Sequence, residues 1–304
     1  MELKQLEYIV AIANEQNITR AAEKLFITQS ALTQQLLKLE RELKTPLFYR
    51  SRNNWQLTPA GEVYVKNARE IMKIKRDTYR AIGDITHIHE ENLAIGFSSG
   101  RGVSMFAQVY PSFHAMYPDV IVNPSENLVV NQIKQIKEGK MDMAFVTLPE
   151  EHGFTDLHYT PLSVEDIYLV IPRDHPYVGD ISELIDLRSF CGDPFVLTNK
   201  ESTMRPLVDG IFRSAGFSPK VLFETSHNPT IITMVEHGLC CGLIAGYYLR
   251  GEHPNIRAYR IKGMSRWGVS VCYRSDSYLG EPAKTFIHMA EEFFRTNTFK
   301  GDGL

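Results

Sequence analysis

Apolar residues three and four positions apart open the chain: Leu6, Ile9, Val10 and Ala13 predict a helix with a single apolar stripe, ending near Asn14. Residues 18–26 read as a second, short helix for which Thr19 is a cap candidate. Its paired Ala21 and Ala22 allow another helix to cross closely. Thr28 is the next cap candidate. Beyond it Leu32, Leu36, Leu39 and Leu43 form one stripe, while Gln29, Ser30, Thr33, Gln34, Lys38 and Arg41 fall on the opposite face. Taken alone, that polar face is what any solvated helix shows. It gains meaning from the tight turn before it and from residues 46–57 after it, which read as a hairpin. Phe48 and Leu57 can pack inward from its strands, Asn53 and Asn54 supply the turn, and Arg50 and Arg52 flank it. The whole predicts a winged helix-turn-helix, its second helix sized for a major groove and its basic wing for phosphate or the minor groove.

Thr58 as cap and Pro59 at the first helical position start a new, long helix. Tyr64, Ala68, Ile71, Lys75, Thr78, Ile82 and Ile85 alternate spacings of four and three, the seam of a two-stranded coiled coil, with Lys75 and Thr78 as weak points. A helix packed only on its own domain is the alternative. From Asn92 short apolar runs alternate with helical periods: 93–97, a helix near 103–117, 120–122, a helix near 129–138, and 143–146. The order repeats through 167–171, 195–197, a helix near 205–215, 221–223, a helix near 230–237 and 243–245, before a strand at 269–273 and a helix near 282–295. This βαβ order predicts parallel sheets covered by helices.

The 304 residues, 43% apolar and 23% charged, suit a soluble globular protein of two or three domains. A net charge of -3 excludes a generally basic nucleic-acid coat, so any DNA contact is local. Residues 1–90 carry 14 basic against 11 acidic residues and the remainder 19 against 25, the asymmetry expected of a DNA-binding head on an acidic body. No run approaches the roughly 18 apolar residues of a membrane span, and Glu2 and Glu7 stand where a signal peptide would be basic and then apolar. A cytoplasmic protein with no membrane partner is expected. Cys191, Cys240, Cys241 and Cys272 lack CxxC spacing and read as buried small apolar residues rather than a disulfide framework or metal site.

Residues 26–36 (FITQSALTQQL), Leu39-Glu40 with Leu43, residues 46–50 (PLFYR) and residues 57–61 (LTPAG) resemble the LysR-type transcriptional regulators. The likeness continues more weakly through the segment order and the turn at 172–176 (PRDHP). It implies a winged helix-turn-helix at 1–58, a linker helix at 59–90 that pairs two subunits, and a two-lobed α/β effector domain of the periplasmic-binding-protein type at 91–304. Lobe 1 would take about 91–163 plus 267–304 and lobe 2 about 164–266. Implied partners are double-stranded promoter DNA, a small-molecule effector, a second copy in a dimer or tetramer, and RNA polymerase. No cofactor or metal is implied. Two departures stand out: Gln34 replaces an arginine that many members carry early in the recognition helix, and Gly238 to Gly242 replaces the usual Gly-x-Gly.

Thr28, Gln29, Ser30, Thr33 and Gln34 are therefore candidates for base edges, with Lys38, Arg50 and Arg52 on phosphates or the minor groove. Tyr64, Ala68, Ile71, Ile82 and Ile85 are the candidate linker seam. Open α/β sheets bind ligands beyond the carboxyl ends of their strands. Ser98, Ser99, Gly100 and Arg101 in one lobe and Thr198, Asn199 and Lys200 in the other occupy such positions, with Thr225, Ser226 and His227 behind them. Small residues before a helix favour an anion, so a carboxylate is the expected effector, with Arg101 or Lys200 adding charge if either turns inward.

Catalytic patterns are poor. GxSxG, GxxxxGK[ST] and HExxH are absent, which disfavours an enzyme on this fold, and a transport-type binding protein would have no use for the N-terminal head. His87 and His89, two apart, read as surface residues, and adjacent Cys240 and Cys241 could form only a strained vicinal disulfide.

Overall fold

A computed structural model describes residues 2–51, 54–149, 156–180, 184–261 and 266–297. The chain forms two compact units, Met1–Ile88 with Ser277–Gly280, and His89–Asp276 with Glu281–Leu304.

The first unit is built on helices α1 (Leu3–Glu15), α2 (Ile18–Lys24), α3 (Gln29–Leu43) and α4 (Pro59–Thr86), with the hairpin β1 (Phe48–Tyr49) and β2 (Gln56–Leu57) between the last two. Leu6, Ile9, Ile12, Leu32, Leu36 and Leu39 meet in one core with Phe48 from the hairpin and Val65 from α4. The stripe on α3 ends sooner than its spacing suggests, since Leu43 is exposed. α2 is capped by Asn17, whose side chain accepts from the amides of Thr19 and Arg20. The expected cap Thr19 instead lies inside the helix, because Asn17 holds the extended backbone a cap requires. Thr28 and Thr58 cap α3 and α4 as anticipated. Gly61 is fixed sterically, as a Cβ there would fall 2.0 Å from the Leu47 carbonyl oxygen.

α4 corrects part of the expected seam. Ala68 is fully buried in its own unit's core, with Tyr64 and Ile71 packed against that core, and Lys75 Nζ lies 3.1 Å from Glu7 Oε1 on α1. A three-four spacing serves an intramolecular neighbour as well as a partner helix, and here α1 takes the first half of it. Ile82 and Ile85 are exposed, as are Val63 and Ile74 on another part of the helix.

The second unit holds two five-stranded sheets. The first contains β3 (Asn92–Phe97), β4 (Ile121–Glu126), β5 (Met143–Pro149), β6 (Leu157–Glu165) and β12 (Trp267–Arg274), in the order β4-β3-β5-β12-β6. α5 (Arg101–Met116), α6 (Val129–Lys137) and α9 (Glu281–Thr296) accompany it. The second contains β7 (Ile167–Pro172), β8 (Pro194–Thr198), β9 (Lys220–Thr225), β10 (Cys241–Ala245) and β11 (Ile256–Arg260), in the order β11-β7-β10-β8-β9, with α7 (Arg205–Ser214) and α8 (Asn228–Glu236). Each sheet is mixed rather than purely parallel. β3 runs parallel to β4 and β5, but β12 is antiparallel to β5 and β6; β8 runs parallel to β9 and β10, but β7 is antiparallel to β10 and β11. The antiparallel members follow from the chain passing between lobes twice, at β6 to β7 and again into β12, so these strands are not preceded by a returning helix.

Candidate functional site

Helix α3 turns its leucines inward, and this leaves Thr28, Gln29, Ser30, Gln34 and Lys38 exposed and Thr33 half-buried. Several of these polar groups are already organised. Thr28 Oγ1 accepts from the Ala31 amide and lies 3.1 Å from Ser30 Oγ, and Thr33 Oγ1 donates to the Gln29 carbonyl at 2.8 Å. Thr19 on α2 donates to Gln29 Oε1 at 3.1 Å, which orients the amide and leaves its NH2 donors outward. Arg50 is only partly free: it pairs with the buried carboxylate of Glu40 and stands 5.7 Å from the Trp55 ring centroid. The other Glu40 oxygen accepts the Leu47 amide at 2.8 Å, so this one side chain ties the hairpin to α3. Arg52 and Asn53 lie outside the described residues.

In the second unit the loop after β3 divides its residues between core and surface. Ser98 is buried and donates to the Phe145 carbonyl, whereas Ser99 and Gly100 are exposed. α5 begins at Arg101 with Gly100 as its cap residue and no side-chain cap hydrogen bond to its first amides. The expectation that Arg101 could charge this cleft is corrected. Its side chain is 1% exposed, pairs with Glu165 and donates to Ser163 Oγ at 2.8 Å, with its guanidinium carbon 4.7 Å from the Tyr247 ring centroid. Burial pulls the Arg101 pKa down and pushes the Glu165 carboxyl up, and the mutual attraction of the pair opposes both shifts. Arg101 Nε and Nη1 have no partner among the described residues, and Glu165 Oε2 accepts the Tyr247 amide at 2.6 Å. Arg101 turns inward because the buried carboxylate needs a cation.

The facing elements come from β8 and β9, whose ends Thr198 and Thr225 pair in register. Asn199 donates its amide to the Thr225 carbonyl at 2.9 Å, and Thr225 Oγ1 accepts the His227 amide at 3.1 Å. The Thr198 hydroxyl is buried without a partner among the described residues, while Lys200, Ser226 and His227 are exposed. Arg205 braces this rim, donating to the Thr198 carbonyl and to Glu224, each at 2.8 Å. Thr203 Oγ1 crosses to the other lobe and donates to the Thr147 carbonyl at 2.7 Å. Sequence reasoning did not single out Ser163, Glu165 or Arg205, nor the tie that Glu40 makes to the hairpin. Of these only Arg205 left a signal, as an arginine at a helix start beyond a candidate loop.

One group in this unit has metal-ligand chemistry: His175, Asp193 and Cys241 bring ligand atoms within 4.8 Å of one another. His175 Nδ1 accepts the Tyr177 amide at 3.2 Å, which leaves the Nε2 hydrogen for Asp193 Oδ1, also at 3.2 Å. Burial first, then Asp193 and Cys240, pushes the Cys241 thiol up to about 12, so it holds its proton rather than offering a thiolate. Among the described residues no helix is long and apolar enough to cross a membrane.

Residues 3–62 match the family model "Bacterial regulatory helix-turn-helix protein, lysR family", and residues 89–295 match the "LysR substrate binding domain". The chain belongs to the LysR family. It is thus a LysR-type DNA-binding transcriptional regulator with a substrate-binding domain, in a family of regulators rather than enzymes. Similar proteins include "Uncharacterized HTH-type transcriptional regulator YcgK" of Bacillus subtilis (strain 168), 28% identical over 99% of this chain and 97% of that one. "Hca operon transcriptional activator HcaR" of Escherichia coli (strain K12) is 28% identical over 81% and 82%. Among solved structures, a full-length OxyR variant from Pseudomonas aeruginosa has a TM-score of 0.73 at 24% identity, covering 98% of this chain and 99% of that one. CbnR in complex with its target DNA has a TM-score of 0.58 at 19% identity, covering 98% and 100%. These two structures share the LysR fold with this chain.

Proposed function

We propose that this LysR-type regulator reads its operator through α3, pairs through α4 and answers to a small anionic metabolite held between the lobes of its second unit. In this reading residues 1–58 bind DNA, 59–90 link two copies, and 91–304 bind the effector, with lobes at about 91–163 plus 267–304 and about 164–266. The observation that carries DNA readout is the exposed amide and hydroxyl face of Gln29, Ser30 and Gln34, set against fully buried Leu32 and Leu36. Amides and hydroxyls bond base edges in the major groove, whereas Lys38, Arg52 and the free side of Arg50 supply charge to phosphates. Exposed Ile82 and Ile85 offer the linker's apolar surface to a second copy. So does a groove of about 400 Å³ near the start of α4, lined by residues that include Leu6, Leu43, Val63 and Ile71. Two heads are needed because one helix-turn-helix reads only a half-site.

The effector reading rests on the uncapped start of α5 beside exposed Ser99 and Gly100, and on the unpartnered buried hydroxyl of Thr198 in the other lobe. Free amides with a positive dipole end favour a carboxylate. Regulation in the cytoplasm through RNA polymerase completes the proposal. Two assays test it on the full chain. A gel shift with the gene's own upstream DNA should show specific retardation, and a thermal-shift screen should select small carboxylates. Equal binding to random DNA, or selection of cationic ligands, refutes the corresponding half.

A further inference from the structure

We propose that Tyr248 sets the size of ligand the cleft admits, its hydroxyl filling the space over Gly100 at the start of α5. The inference rests on the reading of that cleft as the effector site. Tyr248 belongs to the short turn Gly246–Leu249 of the second lobe, yet it reaches the first lobe. A Cβ built on Gly100 would come within 2.9 Å of the Tyr248 hydroxyl oxygen, and Gly100 has φ +78°, so the position is doubly reserved for glycine. The ring packs against both apolar clusters of the second lobe, and the neighbouring Tyr247 amide is anchored on Glu165. The ring is therefore positioned by apolar packing and by its anchored neighbour. A ligand approaching the first amides of α5 from the second lobe meets it and must be short, or must replace it.

The hydroxyl matters as well as the ring. An oxygen beside the amino end of α5 stands where a ligand oxygen would be favoured, so tyrosine occupies part of the site as its own ligand. Removing the ring should leave an enclosed space suited to an aryl group, since an engineered apolar cavity of about 150 Å³ already binds benzene.

The test compares full-length wild type, Tyr248→Phe and Tyr248→Ala by melting temperature with acetate, benzoate and p-cresol. p-Cresol should raise the melting temperature of Tyr248→Ala by about 2–4 °C and leave the other two unchanged. Benzoate should stabilise Tyr248→Ala and not wild type, while acetate acts on both. If p-cresol stabilises Tyr248→Ala alone and no carboxylate acts on any variant, the size limit stands and the anionic effector falls. A p-cresol response equal in all three proteins, or absent from Tyr248→Ala, overturns the proposal. Should Tyr248→Ala fail to fold, Gly100→Ala decides. Its added methyl meets the hydroxyl, so Gly100→Ala combined with Tyr248→Phe should melt about 2–4 °C above Gly100→Ala alone. Strictly additive losses would show that the hydroxyl does not lie there.

Discussion

Replacing Arg101 with methionine removes the cation from a pair whose side chains are 1% and 2% exposed, so solvent screening offers no relief. Glu165 would keep the Tyr247 amide and the attraction of Arg250, and would sit charged among Tyr247, Trp267 and Phe294, the rings that now surround the guanidinium. Breaking a buried pair from one side costs about 3–5 kcal/mol, which for a unit of this size lowers the melting temperature by roughly 6–20 °C. Changing both partners, Arg101→Met with Glu165→Gln, removes the stranded charge. The amide still accepts from Tyr247 and the thioether packs on the rings, so at least about 2 kcal/mol should return. Urea unfolding followed by Trp267 emission reads the region directly, because Trp267 is buried 5.9 Å from the Arg101 guanidinium; Trp55→Phe silences the other tryptophan. pH supplies a second reading. Burial already pushes the Glu165 carboxyl above its ordinary 4.5, and loss of Arg101 pushes it further. A folded pKa above the unfolded one means that stability is present below pH 4.5 and lost as pH rises through the folded value, so the deficit of Arg101→Met should shrink on acidification. A single variant within about 1 kcal/mol of wild type, or a double variant no better than the single, would refute a coupled buried pair.

Gln29→Ala or Gln34→Ala should lose about 1–3 kcal/mol at the cognate operator and little on random DNA, whereas Lys38→Ala should weaken both alike and flatten the salt dependence; gel shifts at two salt concentrations separate them. Ile85→Asp or Ile82→Asp should lower oligomeric order in sedimentation without changing the melting temperature, but Ile71→Asp should reduce stability, because Ile71 packs on its own core. Of the four thiols, only exposed Cys191 should react quickly with a thiol reagent at pH 8. Burial pushes Cys240 up to about 11 and Cys241 and Cys272 up to about 12, so these groups contribute stability below pH 9 that is lost as pH rises through 11–12, and alkaline titration of the melting temperature should show that fall.

The first unit was legible because its signals are local. Thr28 and Thr58 cap helices whose leucines and valines repeat within a few turns, and the register of Phe48 with Leu57 follows from a short hairpin. Signals failed where partners are distant or where one pattern serves two surfaces. Ala68 fits a seam toward another copy and a seam toward α1 equally well, and spacing alone does not choose. β6 was not anticipated, since Pro161 interrupts it and its buried positions include the polar Ser163 and Glu165. β11 was missed because Arg257 and Arg260 dilute its apolar residues just after a turn. The loops after β3 and β8 do lie between a strand and a helix, since that order of elements is visible in the sequence. The sequence left open which way Arg101 turns, because its partner Glu165 lies 64 residues away.

One polar contact between the lobes bears directly on what an effector must achieve: Thr203 Oγ1 donates to the Thr147 carbonyl. A neutral hydrogen bond of this kind contributes about 0.5–1.5 kcal/mol. A ligand shifts the lobes only by the difference in its affinity for the two arrangements, so to offset this contact it must prefer one by a factor of about 2 to 12. Tight binding alone is insufficient. Thr203→Val removes the neutral contact while keeping the side chain's shape, and should change the population ratio of the arrangements about fivefold, equivalent to about 1 kcal/mol. Spin labels at the exposed positions Asp119→Cys and Lys220→Cys, in a Cys191→Ser background, report the distance between lobes. The variant should broaden that distribution toward longer separations without ligand. A distribution identical to that of the parent would mean that the Thr203 contact does not hold the lobes and sets no bound on the effector.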